Sequence, residues 1–305
     1  MNSIIKSIKL SDCLFFDIET VRQKEVLEKD DPLWDILRWQ YRNKDTDELA
    51  TDEEIEFNYR KNGGLLPELG KIACITMGQF KDDVFYIKSY YGDDEPTIIK
   101  EFVKKVNSQK FILVGFNAKF FDLPFIRKRA AILGVPYIDK IKGNDSGIKP
   151  WDLDGTIIDL MEHWRGSNFI NSSLELVCYA LDIPTPKGAI RGNEVSDTYF
   201  NGGLNTIVKY CEGDVIATAN IVRRWRDEGL INDDVKVLTE EIAAPKGLVE
   251  RIRDEGLTPE LYTELAGKQK TLSKDEKEKA IKIIEAALVL RKEKLTAKQI
   301  KELKE

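Results

Sequence analysis

Apolar residues along the first part of the chain cluster in runs whose spacing alternates between the period of a strand and that of a helix. Residues 13 to 19 form one apolar run interrupted by two acids, Asp17 and Glu19, and predict a strand buried on both faces at the centre of a sheet. Runs over 71–77 and 84–87, separated by Lys81-Asp82-Asp83, predict a hairpin. Ile98, Ile99, Phe102, Val103 and Val106 recur at helical intervals behind the cap candidates Asp93 and Asp94 and the first-turn Pro96. The run Phe111-Ile112-Leu113-Val114-Gly115-Phe116 predicts another strand, and a helix follows from Asp122 to about Leu133, ended by Gly134. Strand, hairpin, helix, strand, helix is the order of an α/β fold with a mixed central sheet flanked by helices.

Two stretches depart from this pattern. Residues 21–67 are charged and aromatic, with Leu33, Ile36, Leu37 and Tyr41 at helical spacing behind Asp31-Pro32, and predict a helical insertion at the end of the first strand. That position suits a lid or a guide for substrate, and equally a surface decoration. Beyond Trp151 the chain reads as helical. Ser172-Ser173-Leu174-Glu175 has the form of a capping box, and Leu204 to about Asp227 is a long helix with Ile207, Cys211, Val215, Thr218 and Val222 on one face. Helix starts at Thr258-Pro259 and Ser273-Lys274-Asp275-Glu276 make residues 235–305 a separate helical appendage to a body spanning 1–230. From Lys268 onward, 12 Lys or Arg face 7 Asp or Glu, a net of +5. Such a lysine-rich helix is read as a solvated face or as a strand-binding arm.

Composition narrows the class. A hydrophobic share of 42% supports a globular core, and no run approaches the ~20 apolar residues of a membrane span. Met1-Asn2-Ser3-Ile4-Ile5-Lys6 lacks the form of a signal peptide, and Cys13, Cys74, Cys178 and Cys211 are too widely spaced for a zinc site or a disulfide framework. A reducing cytoplasm is the expected compartment. The net charge of -6 argues against bulk electrostatic coating of nucleic acid. It does not exclude a nuclease, because a bound metal reverses the field of a carboxylate-lined site.

The candidate chemistry begins with Asp17 and Glu19. Residues two apart on a strand share a side, so both carboxylates project together and require a cation between them. With 53 acids in 305 residues, chance supplies roughly nine acid-x-acid pairs, so the pair alone means little. Asn117-Ala118-Lys119-Phe120-Phe121-Asp122 follows an apolar strand directly, and Asp122 alone would read as a helix cap. In Tyr210-Cys211-Glu212-Gly213-Asp214 the tyrosine and the last aspartate lie four apart on one helical face. In this order and on these elements, the three motifs together resemble the DEDD superfamily of 3′→5′ exonucleases, in its tyrosine-bearing subgroup. Closest in look is the proofreading exonuclease domain of family B DNA polymerases, here without a polymerase.

The resemblance spans about residues 10 to 227 and implies a ribonuclease H-like fold. It implies that Asp17, Glu19, Asp122 and Asp214 hold two divalent ions, Mg2+ or Mn2+, that Tyr210 orients the attacking water, and that Thr20, Asn117 and Phe121 contact the terminal nucleotide. It excludes the histidine-bearing subgroup, since position 209 is Lys209, and leaves His163 a structural role. The implied activity is removal of nucleoside 5′-monophosphates from 3′ ends of DNA, single-stranded or frayed, and the implied protein partners are replication or repair proteins met through the C-terminal helices. The alternatives are a 3′→5′ exoribonuclease, a structure-specific endonuclease and a catalytically silent nucleic-acid-binding relative; the last is disfavoured because no carboxylate is missing.

Overall fold

In a computed structural model that describes residues 3–135, 157–167, 170–184, 190–231 and 235–239, with residues 281 and 299–300 besides, the strands are β1 (Cys13–Arg22), β2 (Gly70–Lys81), β3 (Val84–Tyr91), β4 (Ile112–Gly115), β5 (Ile157–Asp159) and β6 (Val235–Val237). They form one sheet in the order β5-β4-β1-β2-β3-β6. β1 is antiparallel to β2 and parallel to β4, β4 is parallel to β5, and β3 is antiparallel to β2 and parallel to β6. Only β2 runs against the rest, the arrangement of the ribonuclease H-like fold that the motifs implied. β5 and β6 do not stand out in the sequence, because three residues are too short to show a period. The helices are α1 (Ser3–Ser7), α2 (Pro32–Gln40), α3 (Asp52–Asn62), α4 (Glu95–Ser108), α5 (Asp122–Leu133), α6 (Leu160–Arg165), α7 (Leu174–Ala180), α8 (Val195–Phe200) and α9 (Leu204–Trp225).

The alternation of β1 divides the core. Leu14, Phe16 and Ile18 face the layer of α4 and α5, where Ile99, Phe102, Phe125 and Ile126 are buried with them. Cys13 and Phe15 face the other layer, with Val177 and Cys178 of α7 and Val215, Ala219 and Val222 of α9. Gly78 on β2 is required for the close seating of α9: a Cβ there would lie 2.3 Å from Phe85 and 2.9 Å from Val215. The four cysteines are free and buried, and serve as small core residues.

One buried ion pair ties the first layer to the sheet. Arg129 of α5 donates to both oxygens of Glu95 on α4, at 2.8 and 2.6 Å, and to the carbonyl of Pro67 at 2.9 Å. Glu95 also accepts from Ile72 N–H of β2, at 2.8 Å. Both side chains are almost fully buried. Lysine has no planar fork to satisfy two oxygens and a carbonyl together, so Arg129→Lys is expected to lower stability by about 2 kcal/mol. Urea denaturation of the variant, with an unchanged midpoint as the contrary outcome, checks this.

The insertion has a small core of its own: Leu27, Trp34, Leu37, Ala50, Ile55 and Tyr59 pack with Leu69. Asp31 caps α2 as expected, accepting from Leu33 N–H at 2.9 Å. Of the stripe expected on α2, Leu33, Leu37 and, just past its end, Tyr41 pack on this core, and Ile36 alone departs. Trp34 and Leu37 are inside, whereas Ile36 is 61% exposed and Trp39 lies outside beneath the guanidinium of Arg42. The short turn Gly63–Leu65 then returns against β1, with Gly64 packed beside the carbonyl of Thr20. α7 starts from Ser173, whose hydroxyl accepts from Leu176 N–H, so the cap falls one residue later than the capping-box spacing predicts.

The chain divides into two compact units, residues 1–240 and 241–305. The helices expected from Thr258 and Ser273 and the lysine-rich face lie outside the described residues.

Candidate active site

β1 carries Asp17 and Glu19 on the side that faces α9. The pairing with β2 slips between Glu19 and Thr20, because Ala73 is an extra residue on β2. Such a bulge twists the strand locally and sets the aim of the side chains beside it. Cys211 of α9 lies over Asp17, its thiol 3.4 Å from Oδ2 and 3.6 Å from the carbonyl. One ligand-capable atom each from Asp17, Glu19 and Cys211 falls within 4.8 Å of the others. Cys211 counts in the sequence as one more apolar position on α9. Its place inside the Tyr210–Asp214 motif is the signal that it belongs to the cluster.

Asp122 joins from α5. It does not cap that helix: Phe121 occupies the cap position with no side-chain bond, and Asp122 Oδ1 accepts from Ile18 N–H of β1 at 3.1 Å. This bond places a carboxylate from one helix against the backbone between the two acids of β1. Asp214 and Tyr210 come from α9, where the Tyr210 hydroxyl hydrogen-bonds the Asp214 carboxyl four residues on.

The electrostatics are those of an uncompensated cluster. Burial, then the charges of Asp122, Glu19 and Asp214, push the Asp17 carboxyl far above the usual carboxylate range. Burial and then Asp214, Cys74 and Asp122 do the same to Glu19. Burial lifts Asp122 to about 7 against the opposing Ile18 N–H bond, and lifts Asp214 to about 7 against the Tyr210 bond. Burial, helped by Asp214, Glu19 and Asp17, raises the Tyr210 hydroxyl above its ordinary value. Among the described residues, none of the groups acting on the four carboxyls is an ammonium or guanidinium. Hard oxygen donors held together at such a cost suit a divalent cation, and this donor set fits magnesium or manganese.

The loop from β4 into α5 is fixed by a residue that the sequence reading passes over. Asp159, at the end of β5, is fully buried and accepts from Asn117 N–H at 3.0 Å and Lys119 N–H at 2.9 Å with its two oxygens. The same carboxylate caps α6 through Met161 and Glu162 N–H, at 3.0 and 3.3 Å. The Lys119 ammonium closes the joint on Glu162 at 2.7 Å. Asn117 adopts φ 65°, a left-handed conformation that asparagine tolerates better than most residues, so its identity has a backbone reason beside any contact with substrate. Phe121 is half-buried with its ring 5.5 Å from Phe125, while the neighbouring Phe120 is exposed. Thr20 is buried on β1 just past the bulge.

A protein-family profile described as a predicted 3′-5′ exonuclease related to the exonuclease domain of PolB matches residues 67–229, more than half of the chain. The chain belongs to this exonuclease family. The match takes in Asp122, Tyr210 and Asp214 and begins downstream of Asp17 and Glu19. A DNA polymerase of Archaeoglobus fulgidus is 27% identical over 162 residues, covering 52% of the exonuclease and 20% of the polymerase. The structure of the family B DNA polymerase from Pyrobaculum calidifontis matches with a TM-score of 0.47 and 18% identity, covering 70% of the exonuclease and 24% of that polymerase. The exonuclease thus spans about a fifth to a quarter of these relatives. Membership makes it a nuclease, a hydrolase acting on nucleic acid. No described helix is long and apolar enough to cross a membrane.

Proposed function

We propose that this exonuclease shortens DNA from the 3′ end, one nucleoside 5′-monophosphate at a time, on single-stranded or frayed termini. Asp17, Glu19, Asp122 and Asp214 would hold two divalent ions, Mg2+ or Mn2+. When bound, such ions lower the pKa of the attacking water and stabilise charge on the leaving 3′-oxygen. The observation that supports this reading is the convergence of four carboxyls from β1, α5 and α9 with no cationic group among the described residues acting on any of them.

Asp17 is the centre of the set, since it feels all three of the others. Asp122 is oriented by the Ile18 N–H, and Asp214 by the Tyr210 hydroxyl. The raised pKa of Tyr210 disqualifies it as a strong base at neutral pH and leaves it the task of orienting the water by a hydrogen bond. Thr20, Asn117 and Phe121 are the contacts for the terminal nucleotide, with Phe121 lending an aromatic face. The coverage by DNA polymerases supports DNA over RNA as the strand trimmed.

A 5′-labelled single strand of DNA and one of RNA, incubated with magnesium, test the reading. A ladder that shortens from the 3′ end of DNA is expected. Preferential shortening of RNA would favour the exoribonuclease, and one internal cut or none would overturn the proposal. Tyr210→Phe is expected to slow hydrolysis about a hundredfold while the metal concentration for half-maximal rate stays unchanged. An unaltered rate removes the tyrosine from the mechanism.

A further inference from the structure

α9 lies on the sheet with different chemistry on its two flanks. Cys211, Val215 and Val222 are buried among residues of the strands. At about 100° per residue, Tyr210 and Asp214 fall to one side of that line and Glu212 to the other, about 160° away around the axis.

The Glu212 flank is pinned. Its Oε1 accepts from the Ser89 hydroxyl of β3 at 2.9 Å and from the hydroxyl of Thr239, just past β6, at 2.5 Å. Thr239 Oγ1 in turn accepts from Ser89 N–H at 3.0 Å. Ser89 Oγ also lies 2.8 Å from Oγ1 of Thr76 on β2, and both side chains are buried. An ionised carboxylate only accepts, so the Ser89 hydroxyl gives its one proton to Glu212 and Thr76 is the donor to Ser89. Thr76 stands opposite Asp17 in the pairing of β1 with β2. One directed chain of hydroxyls therefore runs from the residue beside Asp17, through β2 and β3, to the far flank of α9.

Neither charge pairing nor apolar burial accounts for this seat. Among the described residues Glu212 forms no ion pair. Val237 and Leu238, which lead up to Thr239, are exposed. What the clamp fixes is an angle. Apolar contact is non-directional, whereas two hydroxyls meeting one oxygen tolerate little rotation. A roll of about 10° moves a side-chain tip ~6 Å from the helix axis by about 1 Å. A displacement of that size at a reacting group costs about a hundredfold in rate. We infer that Glu212 is a positioning residue: held by Ser89 and Thr239, it sets the roll of α9 and so the reach of Tyr210 and Asp214 toward Asp17. This rests on the roles proposed above for those three residues. Thr239 lies beyond residue 229, where the family match ends, so the clamp draws the segment after β6 into the making of the site.

Steady-state hydrolysis of a 5′-labelled DNA oligonucleotide with Mn2+, beside Mn2+ binding to the DNA-free protein by electron paramagnetic resonance, tests the clamp in the full chain. E212A is expected to lower kcat about thirtyfold and T239V about fivefold, with KM for the oligonucleotide within about twofold of the wild type. Mn2+ affinity should weaken about fivefold in E212A, because Asp214 no longer meets the ion squarely. Both hydroxyls meet the same oxygen, which an amide keeps, so E212Q is expected to return kcat to within about threefold of the wild type. Rates are taken well below each urea midpoint, so that lost stability alone leaves kcat unmoved. Wild-type kcat in both E212A and T239V overturns the proposal, as does an E212Q no faster than E212A. A wild type that neither binds Mn2+ nor cuts sinks the reading of the carboxylate site and the clamp with it. A wild type that does both, with E212A and T239V its equals, sinks the clamp alone.

Discussion

Asp17→Asn is expected to lower metal-dependent hydrolysis by about 10^3-fold or more and, in the same molecule, to make the metal-free protein more stable. The first effect follows from the place of Asp17 among Asp122, Glu19 and Asp214, each of which acts on it. Losing its charge removes the group common to the whole set. The second effect follows from the sign of the pKa shifts. Asp122 and Asp214 sit at about 7 in the folded protein, against about 3.9 for an unfolded aspartate. The folded state therefore holds protons that the unfolded state has released. The stability these groups contribute is complete below about pH 4 and is lost as pH rises through about 7. In EDTA, the melting temperature of the wild type should fall between pH 5 and 8, and Mg2+ or Mn2+ at pH 8 should restore it. Asp17→Asn should flatten that slope and blunt the restoration. Thermal melts at several pH values, with and without EDTA, carry the measurement. A variant that still cuts, or a slope identical to the wild type, would sink the account.

The second large effect is expected at a residue that has no place among the carboxylates. Asp159→Ala leaves the N–H groups of Asn117, Lys119, Met161 and Glu162 without their acceptor in a fully buried joint. Each orphaned donor costs about 1–3 kcal/mol, less where water enters, so a loss of about 4 kcal/mol is expected overall. Activity should fall further than stability explains. The freed segment carries Asn117 and leads directly into Phe121 and Asp122, and a misplacement of ~1 Å is enough to cost two orders of magnitude in rate. Asp159→Asn is the control: it keeps one oxygen acceptor and presents an amide to the other donors, so an intermediate loss is expected in both quantities. Urea denaturation and single-turnover rates, measured well below the unfolding midpoint, separate the two effects. A destabilised Asp159→Ala with the wild-type rate would reduce this joint to scaffolding.

Most of what the fold needs is legible in the hydrophobic pattern, and the failures have physical causes. Asp17 and Glu19 stand out because acids are rare inside a long apolar run. Asp159 sits in the same setting, behind Ile157 and Ile158, but a strand of three residues has no period to announce it. Asp122 looks like a cap, and only the fold brings Ile18 N–H to it across 104 positions of sequence. Cys211 counts as apolar on helical spacing, which is true of its burial and silent about its contact with Asp17. The face of α2 is misread at Ile36 because Trp34 and Leu37 also fit a helical stripe, and the small core of the insertion decides between them. The slip at Ala73 leaves no trace in the residues themselves, since alanine is at home in a strand or out of one.

The contact between Asp17 and Cys211 bridges 194 positions, and Asp214 lies further still along the chain. A ribosome adding about 5–20 residues per second takes about 10–40 seconds to pass from the first of these residues to the last. Through that interval the emerging chain can pair β1 with β2 and hide its apolar faces, yet it holds two acids with nothing to complete them. On the proposed assignment of Tyr210 and Asp214, hydrolysis waits until α9 has been made and has come to rest on β1. On that assignment a nascent chain does not trim nucleic acid near its own site of synthesis, and a product cut short before Asp214 lacks one of its proposed metal ligands.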